Sequence, residues 1–301
     1  MSHARYSSDI WWARNLDRFD ELVHKYPKLP TKPVEESSLP LKIGSKITIK
    51  NYNTFLENHG SAGYKFWFDK KTSDVFIIGM ASTKHEAVIS LLQRYFNVPN
   101  NGVVVNPPIC VYGQPRLKIA PDVAVYPNIA FVPRPSASPV IPVPPSDLCG
   151  NPHARIVCEI AISQDVGRLG QRCLRWMKEK YVRAVIGIKI LEERPMIREP
   201  VTGYFYKTMT AKLYRQGMDT QRWDFGNAKK YSRDPVNNPA DCNAPNLPAF
   251  QITIPISEVF WDLPLFPIPL AYAPAVPATI VGNTFVIDLY QIQRIVLEAN
   301  I

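Results

Sequence analysis

Residues 156–162 read IVCEIAI, a nearly unbroken apolar run with one carboxylate, Glu159, inside it. Apolar residues at consecutive rather than alternate positions predict a central strand covered on both faces. The stretch from Val166 to Val182 has helical character despite Gly167 and Gly170, and AVIGIKI at 184–190 predicts a second buried strand. Strand, helix, strand in that order predicts a right-handed crossover and an α/β core. Within that core Glu159 is costly unless it is paired, hydrogen-bonded or bound to a metal. Strand alternation could instead turn it to solvent at a sheet rim, and both readings stand on the pattern alone.

The remaining pattern fits around this unit. Residues 43–79 alternate like a sheet with one helical interruption: IGSKITI predicts a strand and NYNTFLENHG a short helix. GYKFWFD and DVFIIGM then predict a hairpin turning through Lys70 to Ser73. STKHEAVISLLQRYFNV carries Ala87, Val88, Leu91, Leu92 and Tyr95 at helical spacing, with Ser82 or Thr83 able to cap it. GVVV at 102–105 is expected as the following strand, and GYFYKTM and AKLYRQG as an antiparallel pair. TFVIDLYQIQRIVLEAN is expected to begin as a strand and finish as a helix.

Prolines divide the chain further. Residues 1–40 read as an N-terminal arm with Trp11, Trp12 and Phe19 as anchors, and 127–152 as an extended proline-rich insertion. A C-terminal extension, 263–301, packs on the same domain. The 301 residues, 46% of them hydrophobic, suffice for one large domain or two small ones.

The excess of 35 Lys+Arg over 26 Asp+Glu gives +9, which suits polyanionic partners and equally a solubilising surface. No window approaches the roughly 20 apolar residues of a spanning helix, and MSHARYSSDIWW lacks a secretory apolar region. An intracellular protein without membrane insertion is expected, with nucleus and cytoplasm undistinguished. Five cysteines without CxxC spacing argue against a disulfide framework or thiolate zinc site, and no HExxH pair is present.

Asp122, in PDVAV, is the second notable carboxylate. It can satisfy nearby amides at a strand start, or it can act with Glu159. Two carboxylates on adjacent strand ends plus a backbone carbonyl, here of Ile160, are hard oxygen donors suited to Mg²⁺ or Mn²⁺. Such an ion polarises a phosphate and lowers the pKa of bound water. Glu86, on the early helix, could orient water or a second ion.

The ordered series GYKFWFDKKTSDVFIIG, STKHEAVISLL, IAPDVAVYP, RIVCEIAISQD and RCLRWMKEKYVRAVIGIKI resembles the Uma2-type, restriction-endonuclease-like family of the PD-(D/E)XK superfamily. The resemblance spans about Leu41 to Asp262. It implies an α/β fold with a mixed sheet flanked by helices in a nuclease-like domain over 41–262, and metal-dependent hydrolysis of DNA rather than RNA. By resemblance the metal-binding aspartate falls on Asp122, the acidic strand residue on Glu159 and the following serine on Ser163. His85 matches a histidine that either contacts phosphate or caps and packs. Arg172 and Trp176 take the positions of a helical lysine and aromatic.

The superfamily lysine two residues after the glutamate is replaced by Ala161, which has no polar atom. Arg172 could meet the phosphate instead, although it stays protonated and is a poor proton-transfer group. Gln164 could orient water or serve as a surface amide. The basic run from Arg168 to Arg183 could line a phosphate groove or be a solvated face, and Trp176 reads more readily as packing than as a stacking platform. The alternative is a catalytically inactive nucleic-acid-binding or protein-interaction module on the nuclease fold; a protein partner or homo-oligomer is compatible with either reading.

Overall fold

Apolar surface is buried in two separate clusters on opposite faces of one sheet, the arrangement demanded by a strand apolar at every position. The computed structural model describes residues 26–32, 34, 38–59, 63–80, 82–113, 121–131, 152–162, 164–179, 181–194, 197–228, 241–261 and 273–299. Trp11, Trp12, Phe19, Ser163, residues 132–151 of the proline-rich insertion and residues 262–272 lie outside the described residues. The chain divides into two compact units, 1–81 and 82–301.

In the first unit, strand β1 (Leu41–Gly44) precedes helix α1 (Ile49–His59) and the hairpin of β2 (Tyr64–Asp69) and β3 (Asp74–Met80). The antiparallel sheet has the order β1-β3-β2. Ile47, Phe55, Val75 and Ile77 are its buried apolar residues. The hairpin turns through 70–73 as expected. The IGSKITI run does not continue as a strand: it ends at Gly44, Lys46 takes a left-handed φ of 54°, and Ile49 already starts the helix. A left-handed residue breaks the pleat, so alternation alone overextends the strand.

The second unit is built on a six-stranded mixed sheet in the order β4-β5-β6-β7-β8-β9: β4 (Ile109–Gly113), β5 (Val123–Pro127), β6 (Ile156–Ala161), β7 (Ala184–Ile190), β8 (Thr208–Arg215) and β9 (Gln221–Gly226). Strands β6 and β7 are parallel, and the other pairs are antiparallel. Helix α2 (Thr83–Asn97) precedes the sheet, and α3 (Val166–Met177) joins β6 to β7. The antiparallel pair β10 (Gln251–Pro255) and β11 (Thr284–Asp288) is followed by α4 (Leu289–Glu298). The mixed α/β architecture expected from the sequence is therefore present.

Alternation along β6 assigns its two faces. Ile156, Cys158 and Ile160 join the cluster containing α2, α4, β10 and β11, whereas Val157 and Ala161 join the cluster containing Leu169 and Cys173 of α3. Helix α2 is capped by Ser82, whose Oγ accepts the His85 N–H at 3.2 Å. Its fully buried stripe is His85, Val88, Ile89, Leu92 and Phe96, with Leu91 and Tyr95 half-buried at the flank.

Two expected strands are displaced. GVVV is a turn region with Val104 88% exposed, bracketed by left-handed Asn101 and Asn106, and the true strand begins at Ile109. The Asn100 side chain fixes that start, donating to the Ile109 carbonyl at 2.9 Å and accepting its N–H at 3.0 Å. GYFYKTM and AKLYRQG do not pair with each other. The single strand β8 takes in the last two residues of the first, Thr208 and Met209, and Ala211 to Arg215 of the second, and its hairpin partner is β9.

Candidate metal and phosphate site

The β5–β6 register, continued by one residue beyond Val123↔Cys158, sets Asp122 opposite Glu159. Both side chains are fully excluded from solvent. Asp122 extends the ladder past the end of β5: its N–H donates to the Cys158 carbonyl at 3.1 Å, and its Oδ2 accepts the Ile160 N–H at 2.7 Å. The carboxylate thus takes the place of a backbone acceptor, which is the amide-satisfying role weighed for it from the sequence. Its Oδ1 lies 3.3 Å from His85 Nε2, and His85 Nδ1 lies 3.2 Å from Glu86 Oε1. Glu86, half-exposed, therefore reaches the buried pair through His85.

Glu159 shares its face with Val157 and Ala161 and so points to α3. One turn apart on that helix, Arg172 Nη2 donates to Glu159 Oε2 and Trp176 Nε1 donates to Oε1, the latter at 2.7 Å. Burial opposes the guanidinium charge, but Glu159 and Asp122 outweigh it and hold the Arg172 pKa above its ordinary value. Arg172 Nη1 donates to Gln164 Oε1 at 3.2 Å, whereas its buried Nε has no hydrogen-bond partner among the described residues. Trp176 both packs on the α3-side cluster and serves as a donor to the acid.

Close approach of α3 depends on Gly187, the β7 residue beside Glu159. A Cβ there would lie 2.8 Å from Cys173 Sγ. Burial, with a further push from Glu159, raises the Cys173 thiol to about 12. Burial and then the two carboxylates likewise raise Cys158 well above its usual value. Both are protonated packing groups and not reactive thiolates.

Lys189 was not singled out from the sequence. It pairs with Ala161 across the parallel β6–β7 ladder, is only 7% exposed, and its ammonium donates to the Ile162 carbonyl. An ammonium thus stands at the strand end where Ala161 supplies none. The signal was available: Lys189 is a lone charge in an apolar run, the same criterion that marked Glu159. Most of the basic run does not join this site. Arg168 is exposed beside Asp165, and Arg183 pairs with Glu258 at 2.8 Å.

The site residues expected from the sequence form two hydrogen-bonded groups at the adjoining ends of β5 and β6: Glu86, His85 and Asp122 with the Ile160 N–H, and Gln164, Arg172 and Glu159 with Trp176. The oxygens of Asp122 and Glu159 and the Ile160 carbonyl have the chemistry for Mg²⁺ or Mn²⁺, ions that complete their shells with water and phosphate oxygens. Among the described residues no group of three or more His, Cys, Asp or Glu side chains is placed to hold a metal.

No family model and no curated protein matches the chain. Among solved structures it is similar to a crystal structure of a putative nuclease belonging to DUF820 from Anabaena variabilis ATCC 29413. The two are 16% identical, with 60% of this chain and 87% of that one covered and a TM-score of 0.36. Among the described residues no helix is long and apolar enough to cross a membrane.

Proposed function

We propose that this protein is a Mg²⁺- or Mn²⁺-dependent nuclease that hydrolyses phosphodiester bonds, with DNA the substrate implied by the sequence resemblance. The observation carrying this reading is the pair of solvent-excluded carboxylates, Asp122 and Glu159, at opposed positions on neighbouring strands. Two adjacent buried acids are costly to keep for stability alone, and a divalent cation is the group that would use both. Asp122, Glu159 and the Ile160 carbonyl would hold it, and the ion would supply phosphate polarisation and a water of lowered pKa.

The chain's own residues account for the rest. Arg172, whose Nε has no acceptor among the described residues, has a donor to offer a phosphoryl oxygen, and its permanent charge suits developing negative charge there. Lys189 brings a second cation to the same strand end from β7. His85 would steady Asp122, and Glu86, half-exposed and 3.2 Å from His85 Nδ1, would accept a proton from water through or beside it. Gln164 orients Arg172.

A second reading is favoured by one observation: both Glu159 oxygens are already engaged, by Arg172 and Trp176. A site self-neutralised in this way could bind nucleic acid without cutting it. Cleavage of labelled DNA and RNA with Mg²⁺ or Mn²⁺ separates the two. Hydrolysis is expected from the wild type and at least a hundred-fold loss, on the order of 3 kcal/mol of transition-state stabilisation, in folded Asp122→Asn and Glu159→Gln. A folded wild-type protein that binds both nucleic acids yet cuts neither sinks the nuclease reading and leaves the binding module.

A further inference from the structure

A second charged cluster lies apart from the carboxylate pair, and the proposed hydrolysis makes no use of it. Lys84, in the first turn of α2 and adjacent in sequence to His85, lies 3.5 Å from Glu193 Oε2. Lys207, just before β8, lies 3.2 Å from the same oxygen. Two ammonium groups thus converge on one carboxylate oxygen. The Lys207 side chain is 2% exposed, whereas Glu193, in the segment after β7, is 37% exposed.

The backbone holds Lys207 rigidly. Its N–H donates to Asn227 Oδ1 at 2.7 Å, while Asn227 Nδ2 donates to the Phe205 carbonyl at 3.2 Å. Gly226, at a φ of 134°, lies so close that a Cβ there would come within 2.2 Å of the Lys207 carbonyl oxygen. The segment carrying Glu193 is tied at its backbone by Leu191 N–H to the Thr208 carbonyl at 3.1 Å and Arg194 N–H to the Tyr206 carbonyl at 2.8 Å, while the Glu193 side chain itself is 37% exposed. A buried cation therefore meets a carboxylate that solvent reaches. Burial first, and then the neighbouring Lys84 charge, press the Lys207 pKa down to about 8, showing that one carboxylate does not fully offset this environment.

We propose that Lys84 and Lys207 form a phosphate-binding subsite in which the Glu193 carboxylate occupies the anion position until a nucleic-acid backbone phosphate displaces it. A phosphodiester carries one negative charge over two non-bridging oxygens, so each ammonium can take one oxygen. Removing the competing carboxylate then tightens binding and removing either lysine weakens it. The subsite rests on the nuclease reading only for the identity of its ligand, a phosphate of nucleic acid near the scissile one.

The test is fluorescence anisotropy of a labelled DNA duplex with the full-length protein in EDTA, where hydrolysis plays no part. Glu193→Gln is expected to bind several-fold tighter than wild type. Lys84→Met and Lys207→Met are expected to bind more weakly, each with a salt slope lower by about one. Lys84 is partly exposed, so Lys84→Met decides the matter if Lys207→Met does not fold. Unchanged or weaker binding by Glu193→Gln, or unchanged binding by Lys84→Met, overturns the subsite. If that happens while Asp122-dependent cleavage persists, the nuclease reading stands alone. The expected binding pattern without any cleavage keeps the subsite and removes hydrolysis, and a wild type that does not bind the duplex removes the subsite, leaving hydrolysis to be decided by the cleavage assay with Mg²⁺ or Mn²⁺.

Discussion

Lys207 shows how a single buried charge sets a pH dependence. Its folded pKa of about 8 lies below the unfolded lysine value of about 10.4. Below pH 8 both states hold the proton, and the fold carries the whole cost of the buried ammonium. Between about 8 and 10.4 the unfolded chain holds more protons than the folded one, so this group's contribution to stability rises with pH. The melting temperature of Lys207→Met minus that of wild type should therefore fall between pH 7 and pH 10. A difference that is flat across that interval would show that Lys207 is not burdened in this way. Glu159 illustrates what a sequence can and cannot reveal at this scale. Its cost was evident from its apolar neighbours, but its two donors come from residues 13 and 17 positions later and depend on how α3 lies against the sheet. Lys189 stood out in the sequence as a lone charge in an apolar run, but its place beside Ala161 exists only through the parallel β6–β7 register.

Elements were readable where side-chain periodicity and backbone geometry agreed. Helix α2 has its cap and apolar spacing in the sequence, and β6 and β7 are apolar at every position but Glu159 and Lys189, so existence and type followed directly. Where a left-handed residue intervened, as at Lys46, Asn101 or Asn106, β-branched composition predicted strand beyond the point where the backbone allows it. The seating of α3 on β7 carries a prediction of its own. Gly187→Ala would place a methyl 2.8 Å from Cys173 Sγ and 3.8 Å from Leu169 Cγ, so the Cys173 side chain or the helix that carries it must give way. Overpacking of this kind costs about 1–3 kcal/mol. Chemical denaturation should show that loss, and because Arg172 and Trp176 ride on the same helix, cleavage should fall with it. Pairing Gly187→Ala with Cys173→Ala should recover most of the stability; failure to do so would place the tight contact elsewhere.

Across the whole molecule the formal charge of +9 bears on association more than on fold. The cations differ in what they can contribute. Arg183 and Arg215 are committed to Glu258 at 2.8 and 3.0 Å, while Lys84 and Lys207 converge on Glu193 and Lys189 donates to the Ile162 carbonyl. Wild-type affinity for duplex DNA should fall steeply as salt rises, with a log–log slope that counts phosphate contacts. An affinity insensitive to salt would argue against a backbone-tracking surface. Net charge suits a polyanion and a solubilising surface equally; that Lys84 and Lys207 meet at Glu193 emerged only from the fold, because the two are distant in sequence.

Under the proposed hydrolysis Asp122 would tie chemistry to folding, and this affects how inheritance in this lineage should be read. Its carboxylate completes the β5–β6 ladder through the Ile160 N–H, so a descendant that stopped cutting would still need it to close the sheet. Persistence of this aspartate among relatives would then testify to architecture, and only the half-exposed Glu86, with no comparable rung to hold, would be free to drift once catalysis was abandoned.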